Sequence, residues 1–184
     1  HEIMGMSDWV MSVADQLAER GYIAVAPDFL SGMGPKTWGL SWLSKNTDIG
    51  AEKSLGLHQL APLWAKTDAQ WVDLQYGDTT LERQHLAQQT THTLHKLEEV
   101  DNFNDLEGLA ALIMACQGVV TTSNSTAHLA GALNQRSALL VPFGKGKLWY
   151  WHNVNGRSLW YPSIRIFEQS ANGNWDQAIA QATA

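Results

Sequence analysis

The chain is short of cysteine, of basic residues and of long apolar runs, and each shortage excludes a class of protein. Cys116 is the single cysteine among 184 residues, so no intrachain disulfide can form. The fold must rest on its core, and a reducing, cytoplasmic setting is expected. Lys and Arg number 12 against 18 Asp and Glu, a net charge of −6, and no basic run is present. Without such a run a phosphate backbone cannot be neutralised along its length, which sets nucleic acid aside as a partner. The best apolar stretch, Leu109 to Ala115, falls far short of the roughly 20 residues that cross a bilayer, so no membrane span is expected. The first residue is His1, with neither a charged n-region nor an apolar h-region behind it; the expectation is a fragment without a signal peptide or an intact start. No P-loop and no zincin motif occurs. The His92-x-x-His95 pair has no third ligand placed near it, so no metal site is expected either.

What is present is a composition that folds: 45% hydrophobic and 16% charged, with nine tryptophans. Residues Ser7 to Arg20 carry helical spacing and Tyr22 to Ala26 reads as a short buried strand. The Gly- and Pro-rich loop from Ser31 to Pro35 is the strongest punctuation in the chain. Beyond it, strands at Thr37–Trp42, Gln70–Gln75, His92–Leu97, Gly118–Thr122, Ala138–Val141 and Ile164–Phe167 alternate with helices. The helices are expected at Gly56–Ala65, Thr80–Gln88, Asp105–Cys116, Thr126–Leu133 and from about Asn174. Such alternation predicts an α/β fold, a mostly parallel sheet with helices on both faces, whose ligands sit beyond the carboxyl ends of the strands.

The most informative segment is Gly118-Val-Val-Thr-Thr-Ser-Asn-Ser-Thr-Ala-His-Leu-Ala-Gly-Ala-Leu133. A buried strand runs through four small polar residues, Ser123, Asn124, Ser125 and Thr126, into a helix whose Gly131 permits close packing. Free N–H groups and the positive end of the dipole make such a turn a phosphate cradle. The same residues are also what any helix start prefers as caps. His128, one turn in, either faces that site or packs on the sheet. Gly144-Lys-Gly-Lys147 reads as a flexible surface loop, and Trp149-Tyr-Trp151 as packing, an interface or a sugar-stacking surface. Met114-Ala-Cys-Gln-Gly118 is the nearest approach to a nucleophile elbow, but it lacks the first glycine and runs from helix to strand, the reverse of the required geometry. Cys116 is therefore expected to be a buried small residue.

Residues 36–184 resemble the C-terminal, Rossmann-like nucleotide-binding domain of GT-B glycosyltransferases, in particular the domain that follows tetratricopeptide repeats in bacterial proteins and, more distantly, heptosyltransferases. The resemblance is carried by Gly39-Leu-Ser-Trp42, Lys53-Ser54, His58 to Leu63, Asp73 to Asp78, Val100 to Leu112, Ser123 to Leu133 and Trp160-Tyr-Pro-Ser163. It implies a nucleotide-diphosphate sugar as ligand, bound without metal or further cofactor. Carried over by position, the diphosphate falls to Ser123, Asn124, Ser125, Thr126 and His128. Relatives often have Asp-Thr where this chain has Ser123-Asn124, and a basic residue where it has Leu43; Lys45 or Lys53 is then the substitute cation. Gln75 and Asp105 fall near the base and ribose, although Asp105 also suits a simple N-cap. Gly144 belongs to the loop bordering the pocket. Complete enzymes of this kind have an N-terminal acceptor domain, so the chain alone is expected to bind weakly and to transfer little or nothing.

Residues 1–35 resemble a different family, the dienelactone hydrolases, through His1 to Trp9, Val13 to Ala18 and Gly21-Tyr-Ile-Ala-Val-Ala-Pro-Asp28. In that family Glu2 would contact the nucleophile, which cannot be placed here. Two alternatives therefore stand beside a glycosyltransferase half-domain: a hydrolase relative without its nucleophile, and a non-catalytic fusion module. The tryptophans divide accordingly. Trp42, Trp149, Trp151 and Trp160 are expected near the ligand edge, Trp64 and Trp71 in the core, Trp175 at the last helix, and Trp9 in the first segment, with Trp38 unassigned.

Overall fold

The computed structural model describes residues 37–66, 68–171 and 173–182. The helix and strand expected within residues 1–35, and the junction near Pro35, lie outside the described residues. Strands β1 (Thr37–Ser41), β2 (Gln70–Asp73), β3 (Leu94–His95), β4 (Gly118–Thr122), β5 (Ser137–Val141), β6 (Asn153–Val154), β7 (Arg157–Ser158) and β8 (Ile164–Glu168) form one sheet in the order β3-β2-β1-β4-β5-β8-β7-β6. From β3 to β8 every neighbouring pair is parallel, and β7 and β6 extend the sheet antiparallel. The helices are α1 (Gly50–Lys53), α2 (Ala61–Lys66, entered through a 3₁₀ turn at Leu57–Leu60), α3 (Thr80–Gln89), α4 (Leu106–Ala115), α5 (Ser125–Ala132) and α6 (Asp176–Ala182).

Alternation along the strands sorts the core into two layers. Leu40, Val120, Ala138, Leu140 and Phe167 face Leu60, Leu63, Trp64, Ala178 and Ile179, while Val72 and Val119 face Leu109, Leu112 and Ile113 of α4. Every residue of β4 and β5 is buried, as in a parallel sheet covered on both sides. In α4 the buried residues Leu109, Leu112, Ile113 and Cys116 recur at i, i+3, i+4 and i+7, and the helix starts because Asp105 accepts a hydrogen bond from Gly108 N at 2.8 Å. Gly131 in α5 is there for space: a Cβ would collide with the Tyr161 ring.

The alternating pattern expected from the sequence is present, with three corrections. The strand expected over His92–Leu97 is only Leu94–His95, because β3 is an edge strand that pairs with β2 at two positions. The hairpin β6–β7 was not foreseen. Its turn is Asn155-Gly156, with φ 52° and 82°, the left-handed pair that a tight type I′ connection requires. The short helix α1 also escaped, since four residues leave no periodicity to read.

The strand order reverses between β1 and β4. β1 continues to β2 and β3 on one side, and β4 continues to β5 and β8 on the other. In open α/β sheets the crevice at the carboxyl ends of such a pair is where ligands bind.

Candidate functional site

At that crevice the register sets Ser41 beside Thr121, so the loops leaving β1 and β4 emerge together. A side-chain clasp ties them. Gln75, just past β2, accepts hydrogen bonds at Oε1 from Ser41 Oγ (3.1 Å), Trp42 N (2.9 Å) and Leu43 N (2.8 Å). Asn124 donates from Nδ2 to Ser41 Oγ (2.8 Å) and Leu43 O (3.1 Å) and caps α5 by accepting from Ala127 N at 3.3 Å. Gln75 is 0% exposed and Asn124 7%. Gln75 was expected near the base and ribose, and for Asn124 both ligand contact and capping were open. Their hydrogen bonds are spent inside the protein instead, and they shape the crevice.

The groups left free are in the first turn of α5 and on α1. The N–H groups of Ser125 and Thr126 have no acceptor among the described residues. Ser125 is exposed, and the Thr126 hydroxyl is buried without a partner. Lys53 ends α1, held there because the Thr122 hydroxyl donates to its carbonyl oxygen. The residue is only 5% exposed, and no carboxylate among the described residues pairs with its ammonium. The residue is packed along its stem, and the partial desolvation of its ammonium lowers the Lys53 pKa.

His128 forms the adjoining wall. Its ring stacks on Trp151 (centroids 4.6 Å apart, planes at 26°), and Nδ1 lies 3.3 Å from the Tyr161 hydroxyl. Burial first, and then the charge of Lys53, lower the His128 pKa, so the imidazole is neutral at pH 7. Trp151 donates from its indole N–H to Ser123 Oγ at 2.8 Å, so Ser123 is a partner of this wall rather than a free hydroxyl. Burial raises the Tyr150 phenol, while its hydrogen bond with Ser123 opposes the rise. At this crevice edge the structure thus gathers a lysine, two free backbone donors, a helix dipole and an aromatic side. Their chemistry is that of an anion site.

The other expected residues lie elsewhere. Lys45 is exposed, 5.9 Å from the Tyr76 ring centre, and lines a separate cleft of about 460 Å³ with Gly77, Lys96, Asn102 and Phe103. Asp105 is the exposed cap of α4. Gly144, with φ 71°, lines a second depression with Trp149 and Trp151. Trp42 meets the crevice only through its backbone N–H in the clasp: its indole is 1% exposed, packs in the core, and donates to Glu82 Oε1 at 3.2 Å. Cys116 is 4% exposed, donates to Leu112 O at 3.3 Å, and is pushed by burial to a pKa of about 12, an inert thiol at the end of a helix. Among the described residues no three acidic, His or Cys side chains gather as a metal cluster, and no helix is long and apolar enough to cross a membrane. Sequence reasoning missed the Trp151–His128–Tyr161 wall. Its signal was Gly131, one turn beyond His128 and compelled to be small by Tyr161.

The fold and the crevice define a class, the Rossmann-like doubly wound α/β domains. Comparison with known proteins agrees. The solved structure of Escherichia coli heptosyltransferase WaaC with ADP-2-deoxy-2-fluoro heptose matches with a TM-score of 0.50 and 15% identity, over 98% of this chain and 56% of that one. In sequence, Protein FlbA of Caulobacter vibrioides is 30% identical over 158 residues, which cover 83% of this chain and 25% of FlbA. No family model matches. The chain thus spans about a quarter of the one relative's length and just over half of the other's.

Proposed function

We propose that this chain supplies the donor half of a glycosyltransferase site, holding the diphosphate of a nucleotide-diphosphate sugar at the start of α5. The observation that carries the reading is Lys53, buried and without an acidic partner beside a helix N-terminus whose first two N–H groups are free. The resemblance of residues 36–184 to GT-B C-terminal domains supports it, as does the fold shared with a heptosyltransferase.

In this reading the diphosphate accepts hydrogen bonds from the N–H groups of Ser125 and Thr126 and from their hydroxyls, with the Lys53 ammonium alongside. As the glycosyl bond breaks, negative charge grows on the leaving phosphate. Preorganised donors, the α5 dipole and Lys53 stabilise it, and the protein supplies this positive charge from its own groups. Neutral His128 has an N–H to contribute and no charge to lose at pH 7. The cleft of Lys45, Lys96, Asn102 and Phe103, on the β2 side of the crevice, is assigned to the base and ribose. The acceptor and its general base are assigned to a companion domain, so the chain alone binds and turns over little.

A thermal-shift screen of UDP, ADP and GDP sugars tests this. A ligand of the folded state raises the melting temperature by mass action; at least one diphosphate should do so, and its nucleoside should not. Equal shifts by nucleoside and diphosphate, or none, would remove the diphosphate from the site.

A further inference from the structure

Beside the proposed diphosphate site, and sharing Trp151 with it, lies a shallow depression of about 490 Å³ at the carboxyl ends of β5 and β8, lined by Trp149, Trp151, His152, Asn153, Lys147 and Glu168. Trp149 is 72% exposed, the most exposed of the large apolar side chains among the described residues, although indole has the most to gain from burial. His152 stands edge-on to it, with ring centres 6.4 Å apart at 67°. Across from the indole, Glu168 accepts from Lys147 Nζ at 2.7 Å and from Asn153 Nδ2 at 3.1 Å.

We infer that this depression binds a neutral pyranose ring, its apolar C–H face on the Trp149 indole and its hydroxyls bonded to Glu168, Asn153 and His152. Three features select that chemistry. An exposed aromatic face takes an apolar surface, yet the opposite side is polar, so the ligand must have one face of each kind. The lysine in the depression is already matched by Glu168, so no charge remains to recruit an anion, in contrast to the anion site with its unpaired Lys53. Glu168 stays ionised, because its hydrogen bond from Lys147 holds its pKa below the ordinary carboxylate range, and a carboxylate has room for about four acceptor contacts, of which two are used. Trp151 is the shared wall: 1% exposed, it floors the depression while its N–H reaches Ser123.

The test is the indole region of a proton–nitrogen spectrum of the full chain, in which each tryptophan side chain gives its own signal. Methyl glucopyranoside, methyl galactopyranoside and methyl mannopyranoside are added singly, and in separate arms UDP and UDP-glucose. At least one sugar-bearing probe should shift the Trp149 signal, with a Kd on the order of 1–10 mM for a free methyl pyranoside, and leave Trp64 and Trp71 in place. A Trp149 shift with a methyl pyranoside marks a free saccharide as the ligand. A shift with UDP-glucose but with neither UDP nor the methyl pyranosides marks the glycosyl part of a donor. Saturation transfer from protein to the active sugar should vanish in Trp149→Ala, weaken several-fold in Glu168→Gln, and persist in Trp160→Ala, where an exposed indole outside the depression is removed. Silence of Trp149 toward every sugar, or saturation transfer unchanged in Trp149→Ala, would overturn the inference. Failure of the diphosphate reading is seen separately, as a Trp151 signal unmoved by UDP.

Discussion

Lys53 and Lys45 stand eight positions apart, both near the loop after β1, and the two have opposite surroundings. Lys45 is solvated over the Tyr76 ring, while Lys53 is enclosed against Thr122 and near His128. Enclosure of an unpaired cation opposes folding, and Lys53→Met removes that cost while keeping the stem. The variant should be at least as stable as the parent in urea denaturation, while any stabilisation by nucleotide diphosphates disappears. His128 is linked to the same charge. Its folded-state pKa lies below the ordinary value of about 6.5, so the unfolded chain binds the extra proton, and stability rises with pH between the lowered value and about 6.5. Below that window the full penalty applies. Unfolding free energies of the parent should therefore fall on acidification from about pH 7 toward pH 5, and the slope should flatten in His128→Gln. Cys116 gives a third check: its buried thiol should react with a disulfide reagent only as fast as the protein opens, and rapidly in denaturant.

At the scale of elements, the clasp is what makes β1, β2 and β4 present one crevice rather than three loop ends. Asn124→Ala removes the α5 cap and leaves Ser41 Oγ and Leu43 O without their donor. Its cost should be about 2–4 kcal/mol by urea denaturation. Gly131→Ala drives a methyl group into Tyr161 and should cost about 1–3 kcal/mol by the same measurement; because Tyr161 contacts His128, the imidazole titration seen by NMR should move with it. The elements themselves were largely legible. β4 and β5 are continuous apolar runs, and α4 repeats its apolar residues at helical spacing. The hairpin was legible too, in Asn155-Gly156, but its strands are two residues each and carry no alternation. Capping by Asn124 was one of the two readings the sequence left open, but the clasp that Gln75 and Asn124 make was not legible. Their partners lie 32 to 34 and 81 to 83 positions away, and strand register alone brings them together. For Asp105 the sequence left capping and ligand contact open, and the geometry shows the cap.

For the whole molecule, a net charge of −6 is no obstacle to the proposed diphosphate site, because a helix N-terminus and one lysine act over a few ångströms regardless of the total. The nine tryptophans are not one population. Trp42, Trp64, Trp71, Trp151 and Trp175 are buried, whereas Trp149 and Trp160 face solvent. The chain covers a quarter of FlbA and just over half of a heptosyltransferase, and the property that the proposed reading tests in it is binding. Calorimetric titration of UDP, ADP and GDP into the chain and into Lys53→Met addresses it most directly. At least one diphosphate should bind the parent with a Kd on the order of 0.1–1 mM and bind the variant at least about tenfold more weakly, roughly 1.4 kcal/mol. Equal binding to both proteins, or binding to neither, would contradict a diphosphate site built on Lys53 and the start of α5.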